Sequence, residues 1–271
     1  MSGNRAMAGS VAVHRVLPLA ARLLVVAAAL AAWQLATRSS GSPYFLPPSA
    51  IAATMYHQWF AGPASHLWLT SDATANLLPS LGRMLGGWAA ASVAGIAAGV
   101  AIGRVRLLAD LAEPLVHFGR AVPAPTLVPV FLLMFKIGTP MEVAAIVFGV
   151  IWPVLLNTID GARHVHPLHL ETARAFRLPA WQRLTRIILP SAAPKIFAGL
   201  RLALSLALVM MIISEFIGST DGIGREEIIA QSNFAVPVMW AVIALLGLLG
   251  VVLNLLFGLL ENAVLARQKG A

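Results

Sequence analysis

Apolar residues in this chain fall in long runs, broken by short charged or Pro/Gly-rich stretches. A helix needs roughly 20 mainly apolar residues to cross the hydrocarbon of a bilayer. The runs predict six such spans, at Leu17–Ala36, Met84–Gly103, Phe118–Lys136, Met141–Ile159, Phe197–Ile217 and Val238–Leu260. The expected fold class is therefore all-α: a polytopic integral membrane protein of about six transmembrane helices with a cytoplasmic two-helix loop. Its parts are a tail at 1–16, a first span at 17–36, an external segment at 37–83, a membrane core at 84–260 containing the loop 161–194, and a second tail at 261–271.

Composition sharpens the class. Hydrophobic residues make up 59% of the 271 and charged residues 11%, against about 25% charged in an ordinary soluble domain. A soluble globule and a disordered chain are both excluded. Cysteine is absent, which removes disulfides, thiolate metal sites and a Cys nucleophile. The net charge of +8 is mostly topology, and nucleic acid is not an expected partner. Arg5 and Arg15 precede the first span, Arg104, Arg106 and Arg120 follow the second, and six more basic residues lie from Arg163 to Lys195. The alternate gaps hold only Arg38, Arg83, Lys136 and Arg225. Positively charged loops stay on the cytoplasmic side, so both termini and the loop are expected in the cytoplasm of a cell with this multi-pass protein in its inner (plasma) membrane. In the first span Ala29-Leu30-Ala31 resembles a signal-peptidase site. A retained span is the expectation, with Arg22 snorkelling to the interface.

Several positions qualify this picture. Pro47-Pro48-Ser49 reads as a helix start, with Ile51, Met55 and Trp59 at helical spacing after it. A short helix on the outer surface is expected, with Tyr56, Trp59, Phe60 and Trp68 in the interfacial aromatic belt. Ala91, Gly95, Gly99 and Gly103 form a small-residue stripe that lets another helix approach closely, from the same chain or a second copy. Pro123, Pro125 and Pro129 open the third span and Pro153 interrupts the fourth, each favouring a kink. Lys136, Glu142, Arg201 and Glu215 are ionisable groups at membrane depth. All lie near span ends, so snorkelling accounts for them. Lys136, Arg201 and Glu215, together with Asn157, are also the candidates for a translocation path.

Intrinsic chemistry is missing. No phosphate-cradling G-x-x-x-x-G-K-[ST], no H-E-x-x-H and no G-x-S-x-G occurs, so the chain is not expected to be an enzyme, to bind a cofactor or to hydrolyse ATP alone. His164, His166 and His169 read as the start of a helix at Pro167, with His166 near its cap, more readily than as a metal site. Within the loop, Pro167 starts one short helix and Pro179 a second, which Pro190 and Pro194 are expected to end before the fifth span. Trp181, Leu184 and Ile188 share a face flanked by Arg183 and Arg186, an apolar ridge suited to a groove in a partner or to an anionic membrane surface.

Glu171-Thr172-Ala173, three residues, Arg177, nine residues, then Ile187-Ile188-Leu189-Pro190 resembles the E-A-A, three, G, nine, I-x-L-P loop of ABC-importer permeases. Leu46-Pro47-Pro48-Ser49, Arg120-Ala121-Val122-Pro123, Leu155-Leu156-Asn157-Thr158 and Ser214-Glu215-Phe216-Ile217-Gly218 are similar to the nitrate/sulfonate/taurine branch. The resemblance departs at Thr172, at Arg177 and Lys136 where the family usually has Gly, and at His166 where it often has Asp. It implies two permease copies, a homodimer, with a cytoplasmic ABC ATPase dimer that uses ATP and Mg, and an external solute-binding protein. Glu171, Thr172, Ala173, Phe176, Arg177, Trp181, Leu184, Ile187, Leu189 and Pro190 would then form the ATPase-coupling loop. Small anions such as a sulfonate, taurine or nitrate are the implied substrates, with a neutral pyrimidine or thiamine precursor as the alternative. A secondary transporter or channel, the competing class, would show inverted repeats or paired intramembrane carboxylates, and neither is evident in the sequence.

Overall fold

The computed structural model describes the backbone of residues 3–269 and the side chains of residue 21 and residues 23–266. Among the described residues the chain is helical, with no strand. The helices are α1 (Gly3–Ser40), α2 (Pro48–Met55), α3 (Leu78–Arg104), α4 (Arg106–Ala121), α5 (Val128–Phe135), α6 (Thr139–Arg163), α7 (Pro167–Ala175), α8 (Ala180–Arg183), α9 (Leu189–Gly218), α10 (Ile223–Ser232) and α11 (Val236–Lys269). Five stretches are long and apolar enough to cross a membrane: Leu23–Ser40, Ala73–Arg104, Thr139–Arg163, Ala180–Gly218 and Val236–Ala266. A sixth is gained if a bent pair, Arg106–Ala121 with Ala124–Phe135, counts as one span. The side chains of Arg5, Arg15 and Arg22, and those at the start of the expected first span at Leu17, lie outside the described residues.

The core is a layer of three helices with α6 in the middle. The small-residue stripe of α3 packs within the chain, directly on α6. A Cβ added to Gly95 would meet Val154 at 3.0 Å, one on Gly99 would meet Thr158 at 2.6 Å, and one on Gly103 would meet Ala162 at 2.8 Å. Each four-residue step on α3 matches a four-residue step on α6, so the two helices run parallel. On its other side α6 meets α9, where a Cβ on Gly199 would lie 2.8 Å from the Pro153 carbonyl oxygen and 2.9 Å from Asn157. Buried Met84, Ile146, Val150, Val154, Ala203 and Met211 fill the layer between these contacts. Pro153 is accommodated inside α6 without ending it.

Three expectations are corrected. Phe118–Lys136 is not one helix: the chain turns by 87° between the two halves of the bent pair. Pro123 and Pro125 remove backbone donors at the break, and Val122, which precedes a proline, is extended at φ −74°, ψ 121°. Nor does Pro190 end the second loop helix. A π-helical turn at Leu184–Ile188 carries α8 into α9, and this wider register absorbs the missing N–H and the ring of Pro190, while Pro194 stays inside the helix. Finally, α2 forms where Pro48 starts it, but Trp59 is not in an interfacial belt. It is fully buried with Ile223 and Val242, because its indole N–H donates to Glu226 Oε2 at 3.3 Å. Tyr56 and Trp68 are exposed.

Candidate coupling loop and translocation path

The loop between the fourth and fifth spans is pinned at its base. Asp160, near the end of α6, accepts Lys195 Nζ of α9 at 2.9 Å and lies 2.9 Å from His164 Nδ1. His166 caps α7, its Nδ1 accepting the Leu168 N–H at 3.2 Å, with Pro167 at the first helical position. The helix closes in a Schellman arrangement: the Leu178 N–H donates to Ala173 O and the Arg177 N–H to Arg174 O, both at 2.9 Å. This motif places its penultimate residue in the left-handed region, and Arg177 has φ +49°. Arg177 therefore holds a backbone conformation that glycine adopts most readily.

Around that turn the loop residues divide by exposure. Ala173 is buried. Glu171, Thr172, Phe176, Arg177 and Trp181 are exposed, and Leu184, Ile187, Leu189 and Pro190 are half-buried at the base. Among the described residues Glu171 forms no ion pair. Leu168, Phe176 and Trp181 present an apolar surface at the tip, exposed by 60%, 75% and 70%.

At the opposite end of the layer is a group of charges that sequence reasoning took one at a time. Arg83 of α3 is 6% exposed, Glu142 of α6 0% and Glu215 of α9 2%, so neither carboxylate snorkels; the expectation for both is corrected. Arg83 Nε lies 2.7 Å from Glu142 Oε2, and its Nη2 lies 2.9 Å from both Glu215 Oε1 and Asp221 Oδ1. Ser80 Oγ donates to Glu215 Oε1 at 2.6 Å and accepts the Ile223 N–H at 3.0 Å. The Gly224 N–H donates to Glu215 Oε2 at 2.8 Å. Glu215 is wrapped so closely that a Cβ on Gly222, at φ +114°, would fall 2.5 Å from its carboxyl carbon. A buried charge survives in a low-dielectric interior only when paired and hydrogen-bonded, and this network meets that condition for Glu215 by joining four helices. Its sequence signal was present: one Arg and two Glu at the same ends of three helices.

The path candidates are not brought together. Glu215 sits in that network. Asn157 is half-buried and donates to the Pro153 carbonyl at 2.8 Å. Lys136 is exposed at the C-terminus of α5, at φ 62°, ψ −179°, a region that is almost entirely glycine's. Arg201 pairs with Glu261 of α11 and lines a cleft of about 660 Å³ with Gly250, Asn254, Gly258 and Asn262. A second cleft of about 460 Å³ continues along α9 and α11, sharing Gly250 and Asn254 and adding Ser205. Together they make a mostly apolar groove along one face of these two helices, walled by residues such as Leu208, Ile212, Val251 and Leu255, with Arg201, Ser205, Asn254 and Asn262 as its polar positions.

On the same side as the Arg83 network, Glu226 accepts from Gln58 at 2.7 Å as well as from Trp59. Burial raises its pKa above the usual carboxylate range, opposed by these two donors, and burial alone raises that of Glu227.

A three-helix core with α6 parallel to α3 and antiparallel to α9, a broken third span and a two-helix loop continuous with a long apolar helix describe a multi-pass membrane protein. The chain belongs to the family described as binding-protein-dependent transport system inner membrane component, which matches residues 91–266, and is an ABC importer permease subunit. It is 32% identical over 190 residues to the bicarbonate transport system permease protein CmpB of Synechococcus elongatus, covering 69% of this chain and 68% of that one. It is 27% identical over 250 residues to the nitrate import permease protein NrtB of Synechocystis, at 91% and 90% coverage. With the taurine transport system permease protein TauC of Escherichia coli it shares 29% identity over 225 residues, at 82% and 80% coverage. These relatives fit the nitrate/sulfonate/taurine branch. The fold is similar to that of a chain in the inward-facing MetNI methionine ABC transporter, with a TM-score of 0.60 at 16% identity over 71% of this chain and 94% of that one.

Proposed function

We propose that two copies of this chain form the translocation path of the importer, opened alternately to either side by a cytoplasmic ATPase dimer that docks on the loop 161–194. The single observation that supports this most is mechanical: the second loop helix runs without a break from Ala180 to Gly218. A push on Trp181 therefore acts on the whole fifth span and is not lost in a flexible joint. The chain supplies no nucleotide site, and ATP and Mg belong to the partner subunits. The Lys/Arg distribution supports a cytoplasmic loop and cytoplasmic termini, and an external solute-binding protein delivers substrate to the other side.

The substrate we infer is a small anion. The relatives above carry nitrate, bicarbonate and taurine in their names, and the basic side chains among the path candidates are exposed Lys136 and, in the α9/α11 groove, Arg201 in its pair with Glu261. The test is uptake into vesicles carrying the permease, its ATPase and its binding protein. ATP-dependent accumulation of one of these anions is expected, reduced by Arg201→Gln. Accumulation of a neutral pyrimidine precursor, unaffected by Arg201→Gln and Lys136→Gln, would remove the anion reading while leaving the coupling reading intact.

A further inference from the structure

Where α3, α4 and α6 meet at their loop-side ends, a cleft of about 340 Å³ is lined by Arg104, Arg106 and Arg163 and by Asp110 and Glu113. Among the described residues none of the three arginines forms an ion pair. Arg104 spends one N–H on the Ala162 carbonyl, at 3.2 Å, and the guanidinium groups of Arg106 and Arg163 are exposed. The cleft adjoins a narrow hollow of about 90 Å³ between α4 and α6, which shares Ile102, Ala109, Glu113 and Arg163 and adds apolar Val116, Leu156 and Ile159 together with His117. Beyond it α4 is sharply two-faced. Leu107, Leu111, Leu115 and Phe118 are exposed by 63% to 73% on one side, while Arg106, Asp110, Glu113, His117 and Arg120 recur at helical spacing on the other.

A polar cleft rich in unpaired arginines, opening onto an apolar crevice and an unpartnered apolar ridge, matches a molecule with an anionic head and a hydrocarbon tail. We propose that this is a binding site for an anionic glycerophospholipid of the phosphatidylglycerol type. The phosphodiester is held by Arg104, Arg106 and Arg163, since guanidinium groups bond phosphate oxygens in pairs. The glycerol hydroxyls donate to Asp110 and Glu113, and only the first few carbons of an acyl chain enter the crevice beside Ile102 and Leu156. Basic pockets between membrane helices on the cytoplasmic side recognise anionic lipid heads in this way. The proposal depends on the sidedness inferred above only for which leaflet supplies the lipid.

The test uses the purified full chain in neutral detergent, without ATPase or binding protein, so its outcome is independent of transport. Bound lipid is counted by native mass spectrometry during titration with phosphatidylglycerol or phosphatidylcholine. Wild type is expected to prefer phosphatidylglycerol by roughly tenfold or more, the equivalent of one charge-assisted bond pair. Arg106→Gln with Arg163→Gln, both at exposed positions, should bring the preference to within about twofold. Arg174→Gln with Arg186→Gln, equally basic positions in the coupling loop, should leave it unchanged. If the two pairs of variants behave alike, only bulk charge is at work and the site does not exist. If inorganic phosphate displaces the lipid as completely as phosphatidylglycerol competes with itself, the cleft takes a free anion and the lipid assignment falls.

Discussion

The two ends of the α3/α6/α9 layer are held together by opposite means. At one end, side chains do the joining: Arg83, Glu142, Glu215, Asp221 and Ser80 tie α3, α6, α9 and the start of α10 through a buried polar network. At the other, the backbone itself is continuous from loop helix to span, and the charged contacts, Asp160 with Lys195 and His164, are partly exposed. Buried pairs are specific and costly to break one at a time, whereas exposed ones contribute about 0–1 kcal/mol. The network end should therefore be the rigid end, and the loop end the one that can be worked by a partner without loss of fold.

The sharpest way to break this contrast is Arg83→Met, which leaves two buried carboxylates without their cation. We expect a loss of about 3–5 kcal/mol, read as a collapse of the thermal unfolding midpoint and of folded yield. Adding Glu142→Gln and Glu215→Gln should restore much of it, since the uncompensated charge is then gone. Trp181→Ala should do the reverse: no change in the unfolding of the isolated permease, but loss of the roughly 1.5–3 kcal/mol that burying one such side chain supplies at each docking site. The readout is ATPase retained on a tagged permease, which should fall at least about tenfold. Equal retention by Trp181→Ala and wild type would put the contact elsewhere.

A smaller effect belongs to Glu226. Its folded-state pKa is raised by burial, so between its ordinary value and that raised value the folded chain binds more protons than the unfolded one. Stability must then fall as pH rises through that window. Glu226→Gln should flatten this part of the stability profile, and a profile of unchanged slope would show that another group sets it. Smallest is Arg177→Gly. A non-glycine residue in the left-handed region costs about 1–2 kcal/mol, partly offset in glycine by its freer unfolded chain. The variant should protect the Leu178 amide against hydrogen exchange by no more than a few fold and keep ATPase binding intact.

How legible these features were in the sequence depends on what carried them. The short helix at Pro48 and the small-residue stripe of α3 were readable because caps and four-residue spacing are local. Arg177 and Lys136 were readable through the resemblance: both stand where the family has glycine, and both have positive φ. A kink at the opening of the third span was readable from Pro123, Pro125 and Pro129, but its size, 87°, was not, because the apolar composition still satisfies a span criterion. The Arg83 network was missed for a different reason. Arg83 was counted for sidedness and the two glutamates for depth, and only the packing of α3, α6 and α9 shows that these are one unit. The continuity through Pro190 was also hidden, since a π turn has no simple sequence mark.

That continuity makes the fifth span a lever. From Ala180 to Gly218 it contains 39 residues, about 58 Å at a rise of 1.5 Å each, with Glu215 gripped three residues from its far end. With the pivot there, a sideways displacement of about 5 Å at Ala180 corresponds to a rotation of only about 5°. Atoms near Glu215 would move by a few tenths of an ångström, little enough for hydrogen bonds of ordinary length to survive. A large stroke at the loop is thus compatible with an intact clasp at the opposite end, and for the same rotation the residues midway along the shaft, Arg201 and Ser205, would move by about 2 Å.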